Sequence, residues 1–150
     1  MWGCITAHGV GKLIRIKENI TSERYTKILE DGLFGSIDMH KLNLRNITFM
    51  HDNATVHSSK FTNKWLNINK VNTIEWPSCS PDLNPIENLW EILHQKVRKA
   101  NIKPRNKDGL WNILEREWYS INSDIVRKLY LSMTKRINNL YENNGGYTKY

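Results

Sequence analysis

Residues 76–90 have the sequence WPSCSPDLNPIENLW. The prolines exclude regular structure up to residue 84, because proline lacks an N–H group and restricts the residue before it. A helix is predicted to begin directly afterwards, since Asn84 can cap it, Pro85 suits its first position and Glu87 its third. Apolar residues then recur at helical spacing: Ile86, Leu89, Trp90, Leu93 and Val97. The stretch therefore predicts a loop that leads into an amphipathic helix.

The beginning of the chain predicts a β-hairpin followed by a helix. Residues 2–6 and 12–16 are short apolar runs, and the glycines between them are typical of a hairpin turn. Thr21 can cap the helix, and Gly32 and Gly35 weaken its end. The apolar positions of this helix follow helical spacing: Tyr25, Ile28, Leu29 and Leu33.

Two further strands are predicted in the middle of the chain. Residues 47–50 form an apolar run, which predicts a strand buried on both faces of a sheet covered by helices. The run leads directly into His51 and Asp52, so these polar groups lie at the strand's carboxyl end, where open α/β sheets build their sites. A helix at about 58–67 and a strand at 71–76 follow. The expected inner residues of that helix are Phe61, Trp65 and Leu66.

The last third of the chain predicts helices only. We expect helices at about 108–119 and 124–142, the second ended by residues 143–146. We place a boundary near residue 101, which gives an α/β core at 1–100 and a helical C-terminal extension at 101–150. The order of the elements indicates a mixed α/β fold, a sheet flanked by helices. Basic residues cluster at the boundary: Lys96, Arg98, Lys99, Lys103, Arg105 and Lys107.

Composition narrows the classes of partner. Lysine and arginine number 22 against 15 aspartates and glutamates, a formal charge of +7. This excess favours polyanions such as nucleic acid, although many basic proteins bind none. Cys4 and Cys79 show no spacing typical of a zinc site. The chain shows neither a signal-peptide pattern nor an apolar run of roughly 18 residues, so we expect an intracellular protein with no membrane partner.

Two acids are the candidates for chemistry, and each has a competing structural interpretation. Asp52 can bind a cation, or it can accept hydrogen bonds from backbone amides in a turn. Glu87 can also bind a cation, or it can complete a capping box with the residue that caps its helix. The two acids are separated by 34 residues, positions 53 to 86. Trp76 and Trp90 are expected to be core residues rather than base-stacking platforms.

The surroundings of the two acids resemble a known family. Residues 51–57, HDNATVH, and residues 76–90 resemble the second and third catalytic segments of mariner-superfamily (Tc-like) DDE transposases. The hairpin residues and the C-terminal sequence GGYTKY, residues 145–150, fit the same family, so the resemblance spans nearly the whole chain. It implies an RNase H-like fold in which an aspartate ends one strand and a glutamate opens the last helix. These positions correspond to Asp52 and Glu87.

The resemblance also implies a reaction and its partners. It implies that Asp52 and Glu87 hold Mg²⁺ or Mn²⁺ in a two-metal site of the intact domain, which cleaves DNA at transposon ends and joins the freed end to target DNA. It further implies a nuclear location and oligomeric full-length relatives. Residues expected to support the motif are Asn53, His57, Asp82 and Asn84. The basic cluster at 96–107 could follow DNA phosphates, or be a solvated helix end.

The chain departs from the family at its beginning. The family's first catalytic aspartate lies on a strand upstream of residues 2–6, and Glu18, Asp31 and Asp38 do not lie at the matching place. The resemblance therefore implies a truncated RNase H-like fold that lacks its first central strand and is catalytically incomplete and poorly stable alone. A degenerate copy, or a gene model starting at an internal methionine, would explain this.

Two other functions stay open from the sequence. One is a non-catalytic DNA- or protein-binding module derived from a transposase. The other is an RNase H-like nuclease acting on RNA–DNA hybrids, which the mariner-type residues around Glu87 disfavour.

Overall fold

The computed structural model describes residues 1–77 and 80–143, apart from the side chain of Asp82. The chain divides into two compact units: residues 1–4 with 11–79, and residues 5–10 with the chain from residue 80 onward. The strands are β1 Trp2–Thr6, β2 Gly9–Ile14, β3 Thr48–Phe49 and β4 Asn72–Thr73. The α-helices are α1 Ser22–Leu29, α2 Gly35–Met39, α3 Lys60–Ile68, α4 Pro85–Lys99, α5 Lys107–Tyr119 and α6 Ser123–Glu142. This is the mixed α/β architecture predicted from the sequence, and the division at residue 100 stays a prediction.

The hairpin forms where the glycines predicted it. β1 and β2 make a two-stranded sheet. Gly9, the first residue of β2, has a backbone φ of 140°, which residues with a Cβ rarely adopt. The second strand begins earlier than expected, at Gly9, and ends at Ile14.

The helix after the hairpin runs further than predicted. α1 continues through a π-helical turn, Glu30–Phe34, directly into α2, so Gly32 and Gly35 do not end it. Gly32 is instead a point of close contact, because a Cβ there would overlap the Trp2 ring. Tertiary packing thus overrides the weak helix propensity of glycine.

β3 and β4 form a short parallel pair, with Thr48 opposite Asn72 and Phe49 opposite Thr73. The prediction that β3 is buried on both faces was wrong, since Thr48 is exposed and only Phe49 is buried. Between the strands, α3 buries Thr62 and Leu66. Phe61, expected on the inner face, is 49% exposed. The core of the first unit consists of Tyr25, Leu29, Leu33, Ile37, Phe49, Leu66 and Val71.

The second unit is built mainly on α4, α5 and α6, in agreement with the predicted helices. Asn84 caps α4 by accepting a hydrogen bond from the Ile86 amide at 3.4 Å. Trp90 stacks on the fully buried Trp118, with ring centroids 5.1 Å apart, as expected of a core tryptophan. Residues 144–150, which include most of the predicted helix stop, lie outside the described part. Within that part, no helix is long and apolar enough to cross a bilayer.

Ser36 fastens the hairpin to α2. Its hydroxyl donates to the Gly32 carbonyl at 2.5 Å and accepts from the Lys12 amide at 2.7 Å and from the Cys4 thiol at 3.1 Å. Burial raises the pKa of this thiol from 9.0 to about 11, although its bonds to Ser36 and Lys12 act in the opposite direction.

We predict that Cys4 reacts slowly with alkylating reagents in the folded chain. At about pH 8 its thiolate fraction should be about 100-fold below that of the unfolded chain, since the folded pKa is about 11 rather than 9.0. Iodoacetamide labelling in a Cys79→Ser background, followed by mass spectrometry, measures the rate. Equal rates with and without urea would contradict the prediction. Because the folded pKa is raised, the thiol stabilises the fold below pH 9.0, and this contribution is lost as the pH rises to about 11.

Candidate active site

Asp52 follows β3 and divides its two carboxylate oxygens between different environments. Oδ1 accepts hydrogen bonds from the Ala54 amide at 3.1 Å and from His57 Nδ1 at 2.5 Å. Oδ2 has no hydrogen-bond partner among residues 1–77 and 80–143, and the side chain is 57% exposed. The turn-forming role of Asp52 is therefore present, and it uses one oxygen only.

Two histidines flank Asp52 and pack together. The rings of His51 and His57 stack with centroids 5.2 Å apart, and His51 also contacts the Phe49 ring at 5.0 Å. His51 Nδ1 forms a hydrogen bond of 3.0 Å with the Tyr25 hydroxyl. Burial, together with the charge of His57, lowers the pKa of His51 to about 4 against the opposing effect of Asp52, so its ring is neutral near neutral pH.

Asn53 links the two segments that follow the parallel strands. Its side-chain amide donates to the Trp76 carbonyl at 2.5 Å, which joins the loop after β3 to the residues after β4. This bond restrains the loop that carries Asp52, and the motif-supporting role of Asn53 stays a prediction.

Glu87 lies in the second unit, in the first turn of α4. It is exposed at the third helical position, and its amide donates to the carbonyl of the Asn84 cap at 3.1 Å. A carboxylate here is stabilised by the positive end of the helix dipole. The backbone of Asp82 lies in a 3-10 turn, Pro81–Leu83, just before this helix.

A buried arginine contacts the residue next to Glu87. Arg136 on α6 is 1% exposed, and its Nη2 donates to Asn88 Oδ1 at 2.7 Å while its Nε donates to Ser132 Oγ at 3.0 Å. α6 is thereby bonded to the first turn of α4. Arg136 was not predicted as a buried residue, because a single arginine in a helical pattern carries no signal of burial.

Most of the basic cluster is free to face a polyanion in solution. Five of its six members are exposed: Arg98, Lys99, Lys103, Arg105 and Lys107. Lys96 is half-buried, and its Nζ donates to Ser120 Oγ at 3.0 Å. We therefore rank Lys96 below the other five as a DNA contact.

The two candidate acids belong to different units, and their convergence on one cation stays a prediction. Across the described part of the chain, no three His, Cys, Asp or Glu side chains form a cluster that could hold a metal ion. The donor chemistry of Asp52 does fit Mg²⁺ or Mn²⁺, because its open Oδ2 is a hard oxygen ligand at an exposed position where waters can complete the coordination.

Comparison with known proteins relates this chain to a family. The family described as "DDE superfamily endonuclease" matches residues 1–111. The Tc1 transposase of Caenorhabditis elegans is 35% identical over all of this chain, which covers 54% of that relative. The Tc3 transposase of the same organism is 31% identical over all of this chain, which covers 45% of it. The chain thus spans about half the length of the curated relatives it matches.

Solved structures support the fold. The catalytic domain of Mos1 mariner transposase superposes with a TM-score of 0.80 at 17% identity, covering 95% of this chain and 72% of that domain. A Mos1 paired-end complex with Mn gives a TM-score of 0.83 at 17% identity, covering 97% of this chain and 43% of that protein. The predicted RNase H-like fold is confirmed by this likeness.

We predict that replacing Arg136 destabilises the chain more than replacing its neighbour on the same helix. Arg136→Ala removes a buried guanidinium and leaves Asn88 without its donor, which should cost about 2 to 4 kcal/mol of unfolding free energy. Lys135→Ala, at an exposed position, should change it by less than about 0.5 kcal/mol. Urea unfolding measures both, and equal effects would contradict the prediction.

Proposed function

We propose a function from the family to which the chain belongs: it is a DDE superfamily endonuclease, a transposase sequence of the Tc1/mariner kind. On this proposal, the chain supplies the second and third acids of a metal-dependent site that cleaves DNA at transposon ends and transfers the freed strand to target DNA. Asp52 is the second acid and Glu87 the third.

The observation that carries the proposal is the arrangement around Asp52. His57 and Ala54 hold Oδ1 at 2.5 and 3.1 Å, while Oδ2 has no hydrogen-bond partner among residues 1–77 and 80–143. A carboxylate that served only the turn would not need a histidine bond as well. The second bond fixes the side chain and leaves one oxygen for a ligand.

Glu87 is suited to the same task by its place on α4. The helix N-terminus favours the ionised carboxylate, which is the form that binds a cation. Asn84 caps the helix with its own side chain, and Glu87 lies at the third helical position. Asn84 shapes the turn before α4 as its cap, and we assign it no metal contact. Asp82 stays a candidate for supporting the motif.

Mg²⁺ or Mn²⁺ bound by these acids would supply a Lewis acid that stabilises negative charge and generates the attacking oxygen nucleophile. Asp52 and Glu87 would orient the ion through oxygens held by the fold. The family's first carboxylate lies upstream of residues 2–6, so we propose that residues 1–150 alone do not turn over DNA.

The partners follow from the same proposal. Transposon-end and target DNA are the substrates, and the exposed basic residues between 98 and 107 are the candidate phosphate contacts. The Mos1 structures related to this chain include paired-end and strand-transfer complexes, which supports DNA as partner. The place of action is then the nucleus, and the working form an oligomer.

A second function is favoured by the same exposed basic residues. A non-catalytic DNA-binding module would use them without needing either acid. It predicts DNA binding that is unchanged in Asp52→Ala and Glu87→Ala and a protein that shows no specific divalent-cation affinity.

We predict that both acids contribute to Mn²⁺ binding. Asp52→Asn and Glu87→Gln should each weaken the affinity of residues 1–150 by about 10-fold or more, because a neutral amide is a poorer ligand for a hard cation. Water-proton relaxation in Mn²⁺ titrations provides the measurement. Asp31→Asn, at an exposed acid outside the motifs, is the matched control and should leave the affinity unchanged.

Two outcomes would contradict this assignment. If only Asp52→Asn weakens binding, Glu87 does not share the cation. If residues 1–150 cleave transposon-end DNA with Mg²⁺, and Asp52→Ala abolishes the cleavage, the site is complete without an upstream acid.

We also predict that Lys103 and Arg105 contact DNA phosphates. The double variant Lys103→Gln/Arg105→Gln should lower the slope of log affinity against log salt by about 2, roughly 0.9 for each lost contact. Lys17→Gln/Lys27→Gln removes the same charge at other exposed positions and should leave the slope unchanged. Fluorescence anisotropy across a salt series measures both, and equal slopes for the two variants would rule out a specific patch.

A further inference from the structure

Tyr25 is a buried side chain that contacts both histidines beside Asp52. It lies on α1, is 1% exposed and belongs to the core with Leu29 and Phe49. Its ring is therefore held in place by packing, and His51, to which it is hydrogen-bonded, lies 26 positions later in the sequence. Nothing in the local sequence pattern marks it as more than a core position of a helix.

The face of Tyr25 fixes the ring of His57. Their centroids are 4.1 Å apart and their planes are inclined by 28°. The His57 side chain is 19% exposed, and its Nδ1 donates to Asp52 Oδ1 at 2.5 Å. Because a carboxylate can only accept, this contact requires the proton of His57 on Nδ1. A ring rotated away from Tyr25 would lose both the stack and this donor position.

The hydroxyl of Tyr25 restrains the second histidine. It forms the 3.0 Å hydrogen bond with His51 Nδ1, and Trp2 forms a side-chain hydrogen bond with the same hydroxyl. His51 in turn stacks on His57, with planes inclined by only 12°. His57 thus stacks on two rings: Tyr25 supplies one of them, and its hydroxyl holds the other, His51.

We infer that Tyr25 is a positioning residue for Asp52 and acts through His57. It holds the His57 donor against Oδ1, which turns Oδ2 outward to the cation. The inference rests on the proposed function for the identity of Asp52 as cation ligand. A metal ligand must be held to within about 0.5 Å and 10–20° of its binding geometry. An exposed aspartate whose carboxylate had no such restraint would not be held to that tolerance.

A role in packing alone makes a different prediction. Any large apolar side chain would then serve at position 25, and the state of His57 would not depend on an aromatic ring there. The discriminating variants are Tyr25→Phe, which keeps the stacking face and loses the hydroxyl, and Tyr25→Leu, which loses both.

The first test follows the His57 ring in metal-free residues 1–150 by ¹⁵N NMR of labelled histidine, with His57→Gln used for assignment. We expect Nδ1 to be protonated in the wild type and in Tyr25→Phe. In Tyr25→Leu, the His57 ring should show the mixture of two tautomers that is typical of an unconstrained imidazole. Phe34→Leu is the matched control, because Phe34 packs on the same core and stacks on Trp65, with centroids 5.5 Å apart, rather than on a histidine.

The second test measures Mn²⁺ affinity in the same variants. Tyr25→Leu should weaken it by about 10-fold, the effect typical of losing a side chain that orients a ligand, and Tyr25→Phe should stay within about 2-fold. In a His57→Ala background, Tyr25→Leu should cause no further loss, because Tyr25 acts through His57.

Several outcomes would overturn the inference. One is a folded Tyr25→Leu chain whose His57 signals and Mn²⁺ affinity equal those of the wild type. Another is a Phe34→Leu chain that loses the Nδ1 tautomer of His57 and the Mn²⁺ affinity as strongly as Tyr25→Leu does. If Tyr25→Leu does not fold, a mixture of His57 tautomers in the wild-type spectrum is sufficient to reject it. A wild-type chain that binds no Mn²⁺ rejects the proposed function instead, and the metal-free spectra still decide the role of Tyr25.

Discussion

The hydrogen bond between His57 and Asp52 is the constraint on which the candidate site depends. At 2.5 Å it is the shortest contact of the carboxylate, and it joins the loop after β3 to the start of the segment that leads into α3. The hydrophobic core reaches this bond through Tyr25, so the packing of α1 is coupled to the orientation of an exposed acid. A short parallel pair of strands alone would leave that acid on a loop with little support.

The competing interpretations of Asp52 are compatible in the structure, and those of Glu87 stay open. Asp52 makes the backbone bond of a turn with one oxygen and keeps the other open. Glu87 occupies the capping-box position, while the Asn84 side chain accepts from the Ile86 amide. Residues that build the local fold can therefore also present ligands, which is why sequence motifs around such acids are long: each neighbour has its own structural task.

The sequence predicted elements with local signals and missed features that depend on distant contacts. The Asn84–Pro85 helix start and the glycine hairpin were found because capping and turn chemistry act within a few residues. The continuation of the first helix past Gly32 depends on Trp2, some thirty residues away in the chain. The inward face of α3 and the roles of Tyr25 and Arg136 depend likewise on tertiary packing. The family resemblance predicts a role for the two acids from their motifs, and it carries no information on the side chains that pack around them.

The two tightly enclosed glycines also have a genetic consequence. A Cβ at Gly11 would lie 2.5 Å from Ser36 Oγ, and one at Gly32 would overlap the Trp2 ring. Every change at the first or second base of a glycine codon adds a side chain or a stop, so drift at these codons damages the product at once. Genomic copies that preserve both glycines while silent sites diverge would be under purifying selection for a folded protein. Copies that have lost either glycine would no longer encode one.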